Sequence, residues 1–258
     1  MRYFLSLAYD GTNYHGWQIQ PNAITVQQVI NESIGKILRE DINVVGCGRT
    51  DTGVHASYYV LHFNVESRIA DFGKFLYHLN AVLPADISVY EMLEVDEEKH
   101  ARFDAVAREY HYFFTKKHHP FLNRFTRRLI QMPDVDLLKA SANIIQQNTD
   151  FESFCKAHAA NKTNICHVTE SEWIETEDLL VYRIKADRFL RNMVRALTGT
   201  MLEIGLGKRK IDELQSIFDA KDRRKAGMSV EPEGLFLTGV WYEGVGFEKQ
   251  WKLPFYIK

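Results

Sequence analysis

The chain has 258 residues, a formal net charge of −2, and 45% hydrophobic and 26% charged residues. A chain of this length buries a substantial core as one or two domains, and its composition is that of a soluble globular protein. No apolar run approaches the roughly 18 residues of a membrane span, and Met1 is not followed by a signal-peptide pattern. Three irregularly spaced cysteines indicate a reducing compartment. We therefore expect a cytoplasmic protein with no membrane association.

Positive charge is concentrated in short clusters although the total is nearly neutral. The basic clusters are residues 124–128, 188–195, 208–210 and 221–225, and acidic residues collect at 94–98 and 170–178. Segregated charge allows a basic cleft on a nearly neutral protein. Each cluster taken alone is more typical of a solvated surface.

The first half of the chain predicts the element order βαββαβ. Residues 2–9 alternate as a half-buried strand does, and Thr25 with Gln28 has the spacing of a helix capping box. The predicted elements are a strand over 2–9, a helix over 26–38, strands over 43–47 and 57–65, a helix over 72–82 and a strand over 87–95. This order is the ferredoxin-like arrangement.

The second half predicts the same order less regularly. Its elements are a strand over 107–115, a helix over 135–145, strands over 167–173 and 179–186, a long helix over 189–204, a short helix over 212–218 and a strand over 235–242. We therefore predict an α+β fold in which two ferredoxin-like halves, residues 1–105 and 106–258, join into an extended mixed or antiparallel sheet. The helices pack on one side of this sheet, and a cleft lies between the halves.

The long predicted helix has one apolar face and one basic face. Arg188, Arg191 and Arg195 recur at spacings of three and four residues, opposite the apolar positions. Periodicity alone favours a solvated amphipathic helix.

Residues 48–56, Gly-Arg-Thr-Asp-Thr-Gly-Val-His-Ala, place one acid, Asp51, in a loop between two predicted strands. Gly48 and Gly53 allow backbone angles or close approaches that a side chain forbids, and loops on a strand scaffold often carry catalytic groups. Asp-Thr-Gly is also ordinary turn chemistry. It occurs in aspartic proteases as well, but their chemistry needs a second such acid, and the chain has no other Asp-Thr-Gly.

The motif at 48–56 resembles the active-site motif of the tRNA pseudouridine synthase A family. Further resemblances are the polar and aromatic segment 9–20, the segments 100–103 and 107–112, the Phe-x-x-x-Met-Val-Arg pattern at 189–195, and the Gly-Leu-x-Leu pattern at 234–240. Segments 155–166 and 226–232 differ from the family pattern.

The resemblance implies that the chain isomerises uridine at tRNA positions 38, 39 and 40, as a homodimer whose subunits together hold the tRNA in a central RNA-binding cleft. It implies Asp51, Arg195 and Tyr110 as catalytic residues, with Arg195 turned toward Asp51 and Tyr110 against the target base. It implies substrate binding by Arg49, Tyr110, Arg102 and Gln18. We expect Arg49 to hold the phosphate of the flipped nucleotide or to fill the space that the nucleotide leaves.

The implied reaction breaks the C1′–N1 bond, turns the uracil and rejoins it through C5. There is no net oxidation or reduction, so we expect no cofactor. Because uracil leaves as a delocalised anion, one carboxylate suffices where a glycosidase needs two. The sequence leaves two routes open for Asp51: attack on C1′, or removal of the C2′ proton to give a glycal.

The two rival interpretations are a non-catalytic RNA-binding module and an aspartic protease, and the protease explains Asp51 and nothing else. A non-catalytic RNA-binding module accounts for Tyr110 and the arginines, because ferredoxin-like sheets present aromatic residues to single-stranded RNA, but it gives Asp51 no role. A metal site is suggested by Cys155, His158, Cys166 and His167 alone. Their spacing fits no zinc module, so we predict no metal.

Overall fold

The computed structural model describes residues 1–156, 161–247, 253 and 255. The elements of this part are, in chain order, β1 (Arg2–Tyr9), α1 (Val26–Leu38), β2 (Val45–Gly46), β3 (His55–Asn64), α2 (Phe72–Val82), β4 (Ile87–Val95), β5 (Ala105–Thr115), β6 (Arg127–Arg128), α3 (Val135–Gln147), β7 (Val168–Glu175), β8 (Leu179–Ala186), α4 (Met193–Gly205), α5 (Glu213–Ala220) and β9 (Leu235–Tyr242). The α+β class predicted from the sequence is confirmed.

The chain divides into two compact units. Unit one contains Met1–Val106 and Leu237–Lys258, and unit two contains Ala107–Phe236. Most of β9 therefore belongs with the amino-terminal elements, and Tyr242 joins them by donating its hydroxyl hydrogen to the Ala101 carbonyl oxygen at 2.6 Å.

In unit one, β1 lies between β3 and β4. It pairs antiparallel with β3, from Arg2 opposite Asn64 to Tyr9 opposite Ala56, and on its other side with β4. β3 is buried at every position except its last. The register sets the start of β3 beside the end of β1, which brings the loops at these two points together.

The helices of unit one begin where their sequence signals indicate. Thr25 accepts a hydrogen bond from the Gln28 amide at 3.4 Å and so caps α1, although the Gln28 side chain binds Glu32 instead of closing the capping box. Asp71 caps α2 through the Lys74 amide at 2.8 Å.

In unit two, β8 lies between β5 and β7 and pairs antiparallel with both. β6 pairs parallel with β5, which makes the strand pairing mixed. One face of these strands carries a column of stacked rings: Tyr112 lies 4.5 Å from Phe114, and Trp173 lies 5.1 Å from Tyr182, centroid to centroid. The Trp173 indole donates to Met201 Sδ of α4 at 3.3 Å, so α4 packs on this face.

Two predicted elements are shorter in the structure. The long helix begins at Met193, not at residue 189, because Asn192 has a left-handed backbone with a φ of 67°. Arg188 and Arg191 therefore lie before the helix, and Arg195 lies within it. The predicted strand over 43–47 is reduced to β2, two residues paired with β3.

The three cysteines, Cys47, Cys155 and Cys166, are buried. Burial raises the pKa of the Cys166 thiol to about 12, so this thiol is a packing group and not a nucleophile. Within the described residues, no group of three or more His, Cys, Asp or Glu side chains is placed to hold a metal ion, and His158 lies outside those residues. The described helices also include none with the length and apolarity that crossing a membrane requires.

Candidate active site

The loop that carries Asp51 connects β2 to β3 and is held by the segment that follows β1. The Trp17 amide donates to the Thr50 carbonyl at 3.2 Å, and the Gly53 amide donates to the Tyr14 carbonyl at 3.3 Å. The loop closes on itself where the Val54 amide donates to the Asp51 carbonyl at 3.1 Å. Main-chain hydrogen bonds thus fix the residues on both sides of the Asp51 side chain.

Buried tyrosines also form hydrogen bonds that hold the same loop. The Tyr9 and Thr50 hydroxyls are hydrogen-bonded at 2.8 Å, and the Tyr59 hydroxyl donates to the Gly48 carbonyl at 2.6 Å. The Trp17 ring stacks on Tyr59 with centroids 4.1 Å apart. The loop therefore rests on a rigid aromatic base, which is what a carboxylate needs if it is to meet its substrate in one geometry.

Two glycines make the close approach of these segments possible. Gly53 has a φ of 76° and Gly16 a φ of 84°, and a Cβ on Gly16 would lie 2.5 Å from the Thr50 carbonyl oxygen. Gly48 has no such requirement, since its φ is not positive and a Cβ there would meet nothing within 4 Å. The conformational role predicted for Gly53 is confirmed, and the one predicted for Gly48 is wrong.

Asp10 and His55 join the two segments at the start of β3. Asp10 Oδ1 lies 3.1 Å from His55 Nδ1, and the Gly11 amide nitrogen lies 3.0 Å from the same ring nitrogen. Burial opposes ionisation of Asp10, but its hydrogen bonds with His55 and Thr12 outweigh burial and hold its pKa well below the usual range. The sequence analysis gave this pair no role. The antiparallel register, with Tyr9 opposite Ala56, is the feature that brings it together.

The structure places the predicted residues of unit one at two positions. Asp51 is half-buried. Arg49 is exposed two residues before it, and Gln18 is exposed next to Trp17, whose amide binds the Thr50 carbonyl. Arg102 is exposed but lies at the other end of β3, because its neighbour Ala101 donates its amide hydrogen to His62 Nδ1 at 3.0 Å. Within unit one, therefore, Arg102 is not part of the Asp51 loop.

The two predicted site residues of unit two, Tyr110 and Arg195, are both held by contacts with neighbouring residues. Tyr110 lies on β5 opposite Ile184, and its ring meets Phe189 edge-on at 5.1 Å. Arg195 lies in the first turn of α4, where its Nε donates to the Val230 carbonyl at 2.7 Å and its own carbonyl accepts from the Val230 amide at 3.1 Å. These two bonds set the direction of the guanidinium group.

The segment that holds Arg195 is itself tied down by Ser229. The Ser229 hydroxyl oxygen accepts hydrogen bonds from Asn192 Nδ2 at 2.6 Å and from Arg223 Nη2 at 2.9 Å. Arg223 Nη1 also donates to the Gly227 carbonyl at 3.0 Å. Sequence reasoning missed these residues, since segment 226–232 attracted notice only for its divergence and nothing in the sequence connects Ser229 with Asn192.

Comparison with known proteins agrees with this architecture. A family model described as tRNA pseudouridine synthase matches residues 6–104 and 148–243. The tRNA pseudouridine synthase A of Bacteroides fragilis is 46% identical over 248 residues, which cover 96% of this chain and 98% of that protein.

Two further relatives with the same name are similar over nearly their whole length. The protein of Bacteroides thetaiotaomicron is 46% identical and covers 97% of this chain and 94% of its own length, and that of Parabacteroides distasonis is 45% identical and covers 93% and 96%. The chain therefore belongs to the tRNA pseudouridine synthase family, and it is an isomerase that acts on tRNA.

Proposed function

We propose that this chain converts uridine to pseudouridine at positions 38, 39 and 40 of the tRNA anticodon arm, with Asp51 as the reactive carboxylate and without a cofactor. The observation that carries the proposal is the Asp51 loop, in which main-chain bonds from Trp17 and Gly53 fix a half-buried acid between β2 and β3. A rigidly held single carboxylate suits a reaction whose leaving group is already a stable anion.

The reaction is balanced without any other reactant. The C1′–N1 bond breaks and its electrons leave with the uracil. The uracil turns and forms a bond from C5 to C1′, after which C5 loses its proton to solvent and N1 takes up a proton from solvent. Asp51 either bonds to C1′ and is displaced by C5, or removes the C2′ proton and later returns it. A primary isotope effect from deuterium at C2′ would favour the second route.

We assign supporting roles in the same reaction to two residues of unit two. Arg195 supplies a positive charge to the reaction, as the resemblance of residues 189–195 to the family motif implies. Tyr110 takes the target base against its ring, and stacking of this kind offsets the free energy lost when the base leaves its helix. The hydrogen bonds of Arg195 with Val230 and the ring contact of Tyr110 with Phe189 support these assignments, because both side chains are held in place.

Binding of the tRNA is assigned to Arg49, Gln18, Arg102 and the basic clusters. The exposure of Arg49 and Gln18 supports this assignment, because exposed side chains can reach the phosphate and ribose groups of a bound nucleotide. We further propose that two copies of the chain hold one tRNA and that the reaction takes place in the cytoplasm. Phosphate contacts predict that the affinity for tRNA falls steeply with salt concentration.

The positions on the tRNA are tested by mapping pseudouridine in defined transcripts. A transcript with uridine at 38, 39 and 40 is compared with three transcripts that keep one of these uridines and a fourth in which all three are cytidine. We expect one pseudouridine at each retained position and none in the fourth transcript. Pseudouridine elsewhere in the fourth transcript would contradict the proposed site while leaving the family assignment intact.

A further inference from the structure

The turn between β4 and β5 presents an exposed aromatic ring on an unusually well-fixed base. Phe103 has 73% of its surface accessible, and it belongs to a group with His100 and Arg102 that we name the Phe103 platform. The guanidinium carbon of Arg102 lies 5.6 Å from the centre of the Phe103 ring, and the His100 ring lies 4.3 Å from it. An exposed aromatic ring beside a cation offers an apolar surface and a positive charge side by side.

The platform is fixed by His100. Its Nδ1 accepts hydrogen bonds from the amides of Arg102, at 3.1 Å, and of Phe103, at 3.2 Å. Burial, followed by the nearby charge of Arg2, lowers the pKa of His100, which keeps this nitrogen unprotonated and able to accept both bonds.

The base of the platform is anchored in the sheet. The His100 ring meets His62 of β3 at 4.7 Å, His62 stacks on Phe4 of β1, and His62 Nδ1 holds the Ala101 amide at 3.0 Å. Phe103 therefore extends from a turn that the strands themselves position. A side chain presented in this way loses little conformational entropy when it binds.

We propose that the Phe103 platform is a stacking site for an unpaired base of the bound tRNA, with Arg102 contacting the phosphate of the same nucleotide. An exposed aromatic ring combined with a cation matches the chemistry of a nucleotide, and RNA-binding proteins use such rings for unstacked bases. The proposal rests on tRNA being the substrate. It does not depend on which uridine is modified.

The platform is a second contact, remote from the reacting base. β3 runs from His55, beside the Asp51 loop, to His62, beneath the platform, a distance of roughly 20 Å at about 3.3 Å per residue. Loss of the platform is therefore expected to weaken tRNA binding without changing the chemical step.

The test measures tRNA affinity by fluorescence anisotropy for four variants of the full chain. Phe103→Ala and Phe103→Leu are expected to bind about tenfold more weakly, within the usual range for loss of one base–aromatic stack, and Phe103→Trp to bind as the wild type does. The matched control is Tyr77→Ala, because Tyr77 is also an aromatic residue of unit one that is 73% exposed, but it lies on α2 away from the platform. Its affinity is expected to stay unchanged.

Further readouts separate stacking from other roles. The single-turnover rate at saturating tRNA is expected to stay at the wild-type value in Phe103→Ala, and its solution mass by light scattering is expected to be unchanged. Wild-type affinity in Phe103→Ala would overturn the proposal. Wild-type affinity in Phe103→Leu would also overturn it, because it would indicate a general apolar contact. A changed solution mass would overturn it as well, because the occupant of the platform would then be a second copy of the chain. If Phe103→Ala fails to fold, Phe103→Leu decides. Pseudouridine mapping, which does not depend on Phe103, tests the proposed function separately.

Discussion

The loop that carries Asp51 and the segment that holds Arg195 are fixed in different ways. The Asp51 loop depends on main-chain hydrogen bonds, two glycines with positive φ and a layer of buried aromatic rings. The Arg195 segment depends on polar side chains, with Ser229 at their centre and Asn192 and Arg223 as its donors. A loop held by main-chain hydrogen bonds tolerates many changes of side chain but few changes that alter its backbone conformation. A segment held by polar side chains loses its position when one of those side chains is removed. We therefore expect the Asp51 loop to be most sensitive to substitutions that restrict its backbone, and the Arg195 segment to be most sensitive to loss of a polar side chain.

The largest effect is expected for Gly16→Ala in the first region. The new Cβ would lie 2.5 Å from the Thr50 carbonyl oxygen, at a φ of 84° that alanine adopts only with strain. We expect a loss of about 3 kcal/mol in the free energy of unfolding, measured by urea denaturation, together with a large loss of turnover. The matched control is Gly48→Ala, where a Cβ has open space and the stability should change by less than about 0.5 kcal/mol. Equal destabilisation by Gly16→Ala and Gly48→Ala would show that the close approach of Gly16 to Thr50 is not what makes the loop sensitive to substitution.

A buried histidine on β5 gives unit two a stability that depends on pH. Burial lowers the pKa of His111 to about 4. Below the ordinary value near 6.5 the unfolded chain takes up a proton that the folded chain does not, so stability falls as the pH drops from about 6.5 to about 4. We expect His111 to account for a loss of about 1–3 kcal/mol across this window. In His111→Asn the slope of stability against pH should be shallower, while His78→Asn, on the exposed side of α2, should leave it unchanged.

The effect on the second region is smaller and appears in catalysis. Ser229→Ala removes the acceptor for Asn192 and Arg223, so Val230 and the guanidinium of Arg195 lose their fixed position. We expect turnover to fall about tenfold, equivalent to ~1.4 kcal/mol, with little change in KM, and Ser229→Thr to retain most activity.

A double-mutant cycle decides whether Ser229 acts through Arg195. In an Arg195→Ala background, Ser229→Ala should cause little further loss, because the group that Ser229 positions is already absent. A full tenfold loss in that background would assign Ser229 an independent structural role.

The sequence predicted the Asp51 loop better than its surroundings for a physical reason. Gly53, Asp51 and the two flanking strands are neighbours in the chain, so local turn chemistry and the strand pattern were sufficient to locate the acid. The Asp10–His55 pair depends on the register of β1 against β3, and Ser229 is 37 residues from Asn192 in the chain. Contacts across such separations leave no periodic signal.

The helix boundary at Asn192 was missed for a related reason. The apolar spacing from Leu190 to Ile204 continues across the boundary, so periodicity extended the helix to residue 189. The left-handed backbone of Asn192 ends the α-helical conformation there, and a single asparagine is a weak signal in a sequence. Its side chain is instead used to bind Ser229.

The most direct test of the account is tritium release from unmodified tRNA labelled at C5 of uridine, comparing the wild type with Asp51→Asn and Asp41→Asn. C5 loses its hydrogen only when it becomes the new glycosidic carbon. Asp41 is an exposed acid before β2 and serves as the control. We predict release by the wild type and by Asp41→Asn, and none by Asp51→Asn although it still binds tRNA. Release by Asp51→Asn at the wild-type rate would contradict the assignment of Asp51 as the reactive carboxylate.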